Sequence, residues 1–348
     1  MHDHHLHLFA AAAALASARC GPPDVRDAAG LATALAAQPL DARGWVRGVG
    51  YHESVSGLLD RAALDRLRDD VPVRVQHRSG QLWMLNSRAV EALGLDAGGA
   101  DAPGVERDAR GRATGRLFRV DAWLRARLGP APPPSLAPLG RRLAALGVTA
   151  VTDATPSNGP AELAAFAAAQ RRGELPPRVV VMGALALSDV EPPPGIAIGP
   201  VKIHLADAAL PAPDVLAAQV RAAHARGRAV AFHCTTRAEL VLALAAFETA
   251  GVREGDRLEH VHVAPPECIE AIARLGLAVC VQPGLVRARR AEWAREVEPC
   301  DRPWLAPIAA LRAAGVPLLV GSDAPYGPLL GEAGAPACAG RAPRPAEV

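Results

Sequence analysis

Residues 228–263 read RAVAFHCTTRAELVLALAAFETAGVREGDRLEHVHV, and this stretch decides the fold. Its two ends are short apolar runs that are typical of buried strands. The alanine- and leucine-rich middle, Arg237–Ala250, has helical periodicity and is followed by Gly251, a common helix stop. A strand, a helix and a second strand at this spacing indicate a parallel βα unit.

The same alternation extends from residue 148 to residue 323. Predicted helices between the strands include Pro213–Ala225, Pro265–Leu275 and Leu305–Ala314. Met1–Leu8 supplies an eighth strand, so the sequence predicts an α/β fold of the (β/α)8 TIM barrel type. The seven other predicted strands are Val148–Asp153, Arg178–Leu185, Ile198–Leu205, Arg228–Cys234, Arg257–Val263, Leu277–Gln282 and Val316–Asp323.

Residues 45–129 interrupt the alternation. They are rich in arginine and glycine and contain short strand-like pieces, so we predict an inserted α+β subdomain over one end of the barrel. The predicted barrel comprises residues 1–44 and 130–324, and residues 325–348 form an irregular tail. Because the chain starts inside its first strand and its last strand lacks a covering helix, we expect truncation at both ends. A minimal variant of the barrel is the alternative.

Composition limits the possible partners and the compartment. The 38 basic residues nearly balance the 36 acidic ones, which gives no reason to expect nucleic acid or an anionic membrane as a partner. The cysteines form no CxxC pair and indicate the reduced thiols of a cytoplasmic protein. Leu8–Ala18 lacks the basic residues that precede a signal-peptide core, so we predict a buried helix. A small-molecule substrate is expected, and a homo-oligomer is left open.

The chain contains a single lysine, Lys202, within the apolar strand Val201–Leu205. Basic positions elsewhere are arginine, which stays protonated, whereas a buried lysine can lose its proton and react. One such reaction is that of the neutral amine with CO2, which gives a carbamate that can bridge two metal ions. Chance survival of one lysine in an arginine-rich chain is the alternative.

Four further groups of metal-ligating residues lie at the carboxyl ends of predicted strands. His5 and His7 are two residues apart, so a strand points both imidazoles to one face. His233, His260 and Asp323 end later strands. Barrel enzymes build their active sites at this end of the barrel. A single histidine there is more often a hydrogen-bonded core residue, but the whole set together with Lys202 indicates a metal site.

With these motifs the chain resembles the amidohydrolase superfamily of metal-dependent hydrolases. It is most similar to the amidohydrolase family 3 branch, which includes N-substituted formamide deformylase-like enzymes. The motifs that carry the resemblance are Asp3-His4-His5-Leu6-His7-Leu8, Arg78-Ser79-Gly80-Gln81-Leu82-Trp83-Met84-Leu85-Asn86-Ser87, Val201-Lys202-Ile203-His204, Phe232-His233, Leu258-Glu259-His260 and Gly321-Ser322-Asp323-Ala324-Pro325.

The resemblance implies a binuclear metal centre. His5 and His7 would hold the more buried ion, His233 and His260 the more exposed one, and a carboxylated Lys202 would bridge them. Zn2+ suits these ligands, with Mn2+, Fe2+ or Co2+ as alternatives. Asp323 would bind the first metal and act as general base while metal-activated hydroxide hydrolyses a carbon–nitrogen, amide-like bond other than a peptide bond.

Substrate contacts are the least specific part of the prediction. Arg78, Trp83 and Asn86 of the subdomain and His204 of the barrel are candidates, with packing and surface charge as the alternative. The chain departs from the family pattern at His204, usually phenylalanine-like, and at Gln81, usually histidine. It also lacks the segments of the family's β-sandwich, which is predicted to be largely missing. Further pocket candidates, each of which has a structural alternative, are Tyr51, His52, His77 and His262.

Two other functions are compatible with the same motifs. A deaminase of the superfamily usually works with one metal and does not need the carboxylated lysine, so Lys202 argues against it. A truncated relative without activity, which at most binds metal, is the second alternative. All six metal-ligand positions are intact, which argues against long decay, whereas the short ends argue for it.

Overall fold

A computed structural model describes residues 1–96, 103–129 and 132–332. The chain divides into two compact units, one made of Met1–Ala11 with Ser135–Val348 and the other of Ala12–Pro134. In chain order the strands are β1 His2–Leu6, β2 Ala18–Arg19, β3 Val46–Tyr51, β4 Val73–His77, β5 Leu82–Leu85, β6 Val105–Arg107, β7 Ala113–Phe118, β8 Ala150–Asp153, β9 Arg178–Gly183, β10 Ile196–His204, β11 Val230–Cys234, β12 Arg257–His260, β13 Ala278–Val281 and β14 Leu318–Val320.

The helices are given next in chain order. They are α1 Leu8–Leu15, α2 Ala28–Ala37, α3 Arg61–Asp65, α4 Ser87–Ala92, α5 Asp121–Leu128, α6 Ala137–Ala145, α7 Pro160–Arg171, α8 Pro213–Ala225, α9 Arg237–Ala250, α10 Pro266–Leu275, α11 Pro283–Glu296 and α12 Ile308–Ala313. Within the described ranges, no helix is both long enough and apolar enough to traverse a lipid bilayer.

The first unit is a (β/α)8 barrel. Eight strands lie in the order β1-β8-β9-β10-β11-β12-β13-β14, and the neighbouring strands in this order pair in parallel. The residues that follow β14 contact β1, where the Asp323 amide donates to the His5 carbonyl at 2.7 Å. The His7 amide donates to the Ala324 carbonyl at 2.9 Å. The predicted TIM barrel is therefore confirmed.

The barrel core lies between strands β10 to β13 and helices α8 to α10. Residues such as Phe232, Leu258 and Val279 are fully buried, and Leu258 is in register with both of the others. Phe232 packs edge-on against Phe247 of α9, with ring centroids 5.0 Å apart. Strands that are covered by helices on their outer face carry continuous apolar runs. This explains why the strands at the two ends of residues 228–263 could be predicted from their apolar residues.

The second unit contains a six-stranded mixed sheet in the order β2-β3-β4-β5-β7-β6. Strands β2, β3 and β4 pair in parallel, and the remaining pairs are antiparallel. One side is packed by a cluster that includes Leu31, Val46 and Val73, and a second cluster includes Leu85 and Leu117. The sheet and its short helices make this unit an α+β subdomain inserted into the barrel sequence.

The subdomain begins earlier in the chain than the predicted boundary at residue 45. Ala18 and Arg19 pair with Gly48 and Val49, and Leu31 of α2 packs in the same cluster as Val46. Residues 12–44, which the sequence assigned to the barrel, therefore pack with the second unit. The two-residue strand β2 is too short to show a period, so the sequence carries no signal for this pairing.

Candidate metal centre

His5, His7 and Asp323 converge where the first and last strands of the barrel meet. The Nε2 atoms of His5 and His7 lie 3.5 and 3.3 Å from Asp323 Oδ1. One ligand atom from each residue lies within 4.8 Å of the others. His5 is buried, His7 is partly exposed and Asp323 is buried. Two imidazoles and a carboxylate at this separation fit one divalent ion of the Zn2+ type.

His260 and His233 continue the row of imidazoles across neighbouring strands. The His260 ring centroid lies 4.7 Å from that of His5, and the His233 centroid lies 4.5 Å from that of His260. The alignment of β11 with β12 pairs Cys234 with His260, so the two histidines stand one residue out of register. The structure thus brings His5, His7, His233, His260 and Asp323 together at one end of the barrel.

The histidines are oriented through their second ring nitrogens. A ring nitrogen that is held by a partner fixes the imidazole and leaves the other nitrogen for a metal. The contacts are His5 Nδ1 to Glu259 Oε2 at 2.5 Å, His7 Nδ1 to Thr155 Oγ1 at 2.9 Å and His260 Nδ1 to Gln282 Oε1 at 2.9 Å. In each of them Nε2 is the atom left for coordination.

Lys202 lies on β10 with its side chain buried, and only 5% of the residue is exposed. Its Nζ atom has no hydrogen-bond partner among the described residues. A buried ammonium without partners is costly, because nothing replaces its hydration. Burial accordingly lowers the pKa of Lys202, against the opposing charges of Glu259 and Asp323. A buried amine with a lowered pKa fits the lysine that the predicted carbamate requires.

The electrostatics of the centre favour the protonation states in which these side chains bind metals. Burial lowers the pKa of His5, His233 and His260, so their imidazoles are neutral, as metal ligation requires. Burial would raise the pKa of Asp323, but the hydrogen bond from His7 helps to lower it overall. The carboxylate is therefore ionised at neutral pH.

Two of the site residues have a strained backbone. His260 has φ 72° and Asp323 has φ 57°, and Val261 follows with φ 50°. Non-glycine residues seldom adopt this left-handed region, and such strain concentrates at functional sites. Strand β12 therefore stops at His260 instead of running on to Val263 as predicted.

Glu259 and Arg257 were missed as site residues. Arg257 Nε donates to Glu259 Oε1 at 2.6 Å, and its Nη2 donates to the His4 carbonyl at 2.9 Å. Glu259 is fully buried. Its burial raises the pKa of the carboxyl group, but the charge of Arg257 and the hydrogen bond from His5 hold it well below the usual range. Two charged residues inside an apolar strand were the available signal.

The second HxH pair, His2 and His4, lies on the other face of β1. Its rings stack with centroids 3.8 Å apart, and His2 Nε2 contacts Thr152 Oγ1 at 2.9 Å. His204 ends β10 in register with His233, and its exposed ring lies 4.2 Å from that of His233. A substrate contact by His204 stays a prediction.

In the subdomain, the predicted substrate residues have internal roles. Trp83 is buried and its Nε1 donates to Asp121 at 2.9 Å. Asn86 caps α4: its Oδ1 accepts from the amides of Ala89 and Val73, and its Nδ2 donates to two backbone carbonyls. Arg78 is partly buried and its amide donates to the Tyr51 carbonyl. Substrate binding by these three residues stays a prediction.

The other pocket candidates are also placed. In the subdomain, the Nε2 atoms of His52 and His77 lie 3.8 and 3.2 Å from the same Glu53 carboxylate oxygen, and Tyr51 is buried with its hydroxyl on the Gly57 carbonyl. In the barrel, the His262 ring lies 5.2 Å from that of His260. Burial lowers the pKa of His262 to about 4, so this imidazole is neutral.

Two archaeal structures share this fold. Uncharacterized metal-dependent hydrolases from Pyrococcus horikoshii OT3 and Pyrococcus furiosus superpose with TM-scores of 0.70 and 0.67, at 19% and 20% identity. Each match covers 94% of this chain, together with 71% and 73% of the respective relative. No curated protein sequence matches the chain. The model of the amidohydrolase family matches residues 1–334, and the chain therefore belongs to the amidohydrolase family.

Proposed function

We propose that this protein is a metal-dependent hydrolase that cleaves a carbon–nitrogen, amide-like bond, with Asp323 as general base. The observation that carries the proposal is the buried amine of Lys202, which has no hydrogen-bond partner in the described chain and belongs to the same barrel end as four histidines and Asp323. The metal-dependent hydrolases that share its fold support the reaction class.

The proposed centre holds two divalent ions, with Zn2+ as the best match to the ligands. His5, His7 and Asp323 would hold one ion, and His233 and His260 the other. Once deprotonated, the Lys202 amine would attack CO2, forming a nitrogen–carbon bond and releasing one proton, and the resulting carbamate would help to hold the ions. This modification would also remove the energetic cost of a buried ammonium group that has no hydrogen-bond partner.

The chain's own residues would supply proton transfer and orientation. Bound divalent ions acidify a water molecule and polarise the carbonyl of the substrate. Asp323, ionised at neutral pH, would take a proton from the attacking water and deliver it to the departing nitrogen, since one positioned carboxylate can act as base and then as acid. Glu259, Thr155 and Gln282 would keep the imidazoles in place.

Several finer features belong to the proposal. A deformylase-like substrate and a homo-oligomer both remain predictions. A cytoplasmic location is supported by the cysteines, since the five in the described ranges are free thiols, while Cys338 lies outside them.

The test is metal content and lysine chemistry in parallel. Protein loaded with zinc and carbon-13 bicarbonate should bind about two metal ions per chain and show a carbamate carbon signal by NMR. Lys202→Ala should lose the signal and most of the metal, whereas the exposed control Arg312→Ala should keep both. Acetate, which can replace a bridging carboxylate, should restore part of the metal in Lys202→Ala.

The same experiment separates the alternatives. One bound metal that is insensitive to Lys202→Ala would favour the deaminase chemistry. Absence of bound metal in the zinc-loaded wild type would leave the inactive relative. Hydrolysis of simple amides that disappears in Asp323→Asn, with metal retained, would support the general base.

A further inference from the structure

His262 has no role in the proposed metal centre, yet it lies beside it. Its Nε2 atom is buried and has no hydrogen-bond partner in the described residues. Buried polar atoms are nearly always paired, so an unpaired ring nitrogen next to an active site needs an explanation. One face of the ring stacks on Trp293, with centroids 4.3 Å apart and an interplanar angle of 29°.

The backbone holds His262 in this position. The left-handed residues His260 and Val261 turn the chain at the end of β12. The His262 carbonyl then accepts from the Ala306 amide at 2.7 Å, and Val263 forms a bridge with Leu305. With the backbone tied on one side and the ring stacked on Trp293, the direction of Nε2 is fixed by the fold.

Helix α11, which carries Trp293, also brings a positive charge near His262. Arg289 and Trp293 are four residues apart, so they share one face of the helix. Arg289 Nη2 donates to the Tyr326 carbonyl at 3.2 Å, and the Tyr326 amide donates to the Asp323 carbonyl at 2.8 Å. Arg289 is thus bonded to the loop that follows the proposed general base. Burial is the main cause of the lowered pKa of His262, and the positive charge of Arg289 also contributes to lowering it.

We propose that His262 Nε2 and the Arg289 guanidinium bind a carboxylate of the substrate, with Trp293 as the apolar wall of this subsite. The inference rests on the proposed function and narrows it to amides that carry a carboxylate near the scissile bond. An imidazole can donate an N–H through Nε2, and a guanidinium has five donors, so Arg289 can hold a carbonyl and a carboxylate together.

The test uses benzoate and benzamide as matched probes, with binding to zinc-loaded and metal-free protein measured by calorimetry. Benzoate should bind more tightly than benzamide. Arg289→Gln should weaken benzoate binding roughly 10- to 100-fold, as expected for the loss of a charged hydrogen bond. His262→Phe keeps the ring stack and removes the donor, so it should weaken benzoate binding and leave benzamide unchanged. The exposed neighbour Arg290→Gln is the control.

Activity gives a second readout. N-acetyl amino acids should be hydrolysed with a higher kcat/KM than the corresponding N-acetyl amino acid amides, and Arg289→Gln should remove this preference through KM. Equal binding of the two probes, or unchanged benzoate affinity in both variants, would overturn the inference. So would benzoate binding that needs the metal but neither side chain.

Failure of the proposed function would look different. If zinc-loaded protein held no metal, the hydrolase proposal would fail, while benzoate binding that depends on Arg289 and His262 would still support the subsite. If metal bound and neutral amides were hydrolysed equally well by Arg289→Gln, the hydrolase proposal would stand and the carboxylate subsite would be wrong.

Discussion

Glu259 connects the barrel interior with the metal centre at the scale of single residues. It accepts from Arg257 through one carboxylate oxygen and contacts His5 Nδ1 through the other. Because an ionised carboxylate only accepts hydrogen bonds, His5 Nδ1 carries the proton and Nε2 is the atom left for the metal. Arg257 in turn balances the buried charge of Glu259, as a buried carboxylate requires.

We expect Glu259→Gln to weaken metal binding by roughly 10- to 100-fold, the usual loss when the partner of a ligating histidine is removed. A glutamine amide can present its NH2 to His5, which would favour the other tautomer of the ring. Zinc affinity measured against a chelating dye checks the prediction. Exposed Glu254→Gln is the matched control, and an unchanged affinity in Glu259→Gln would contradict the tautomer argument.

The ligand types could be predicted from the sequence, but their partners could not. His5, His7 and Asp323 each carry a side chain suited to metals at a strand end, and a parallel barrel gathers strand ends at one face. Glu259 of β12 contacts His5 of β1, and Gln282, directly after β13, contacts His260 of β12. Those contacts depend on strand register, which the sequence pattern does not specify between distant strands.

At the scale of elements, the residue that follows β14, Gly321, packs tightly against β1. A Cβ atom on Gly321 would lie 2.5 Å from His5 Cβ and 2.7 Å from the His5 backbone nitrogen. Backbone atoms cannot move aside as a flexible side chain can. Glycine at position 321 therefore allows the last strand to pack against His5 and brings Asp323 beside the first two histidines.

Gly321→Ala should displace His5 and destabilise the barrel by about 1 to 3 kcal/mol, as overpacking of a tight core does. Metal content should fall together with the urea midpoint. Gly159→Ala is the control, because a Cβ there would meet Glu162 Oε2 at 3.6 Å, which is ordinary contact. A Gly321→Ala protein with wild-type stability and metal content would show that the strands can separate without cost.

Asn86 provides a test of fold against substrate binding in the subdomain. Asn86→Ala removes the cap of α4 and leaves the buried Val73 amide without its acceptor. The expected loss is about 2 to 4 kcal/mol, from the cap and the unpaired donor together. Asn86→Asp keeps the accepting oxygen and should recover part of this stability. Urea unfolding measures both variants, and a changed KM with unchanged stability would restore the substrate role.

Element prediction succeeded where apolar periodicity was strong. Helices Pro213–Ala225 and Arg237–Ala250 have the predicted bounds, because each has an apolar side packed on the barrel. Helix α11, Pro283–Glu296, was not predicted: it is rich in charged residues, and its fully buried positions are confined to Gly284 and Leu285. A helix with so little apolar surface shows no apolar periodicity from which it could be predicted. The same helix carries Arg289 and Trp293.

At the scale of the whole molecule, the folded chain keeps a set of buried histidines neutral. Burial lowers the pKa of His2 to about 3 and of His4 and His262 to about 4, and it lowers that of three proposed metal ligands. In the unfolded chain these histidines have a pKa near 6.5, so below that pH the unfolded chain binds more protons than the native chain does. Asp3, whose pKa burial raises to about 6, and Glu239, whose pKa burial also raises, act in the opposite direction.

The metal-free protein should therefore lose stability as pH falls from 6.5 towards 4, because below 6.5 the histidines of the unfolded chain bind protons and those of the folded chain do not, whereas above 6.5 neither state binds them. The loss should be on the order of 1 kcal/mol per buried histidine between pH 6.5 and 5. Urea midpoints of chelator-treated protein at pH 7.0 and 5.5 measure it, and His262→Phe should reduce the difference by about one histidine's share. An unchanged or higher midpoint at pH 5.5 would mean that these imidazoles are protonated in the native state, and so unready for metal.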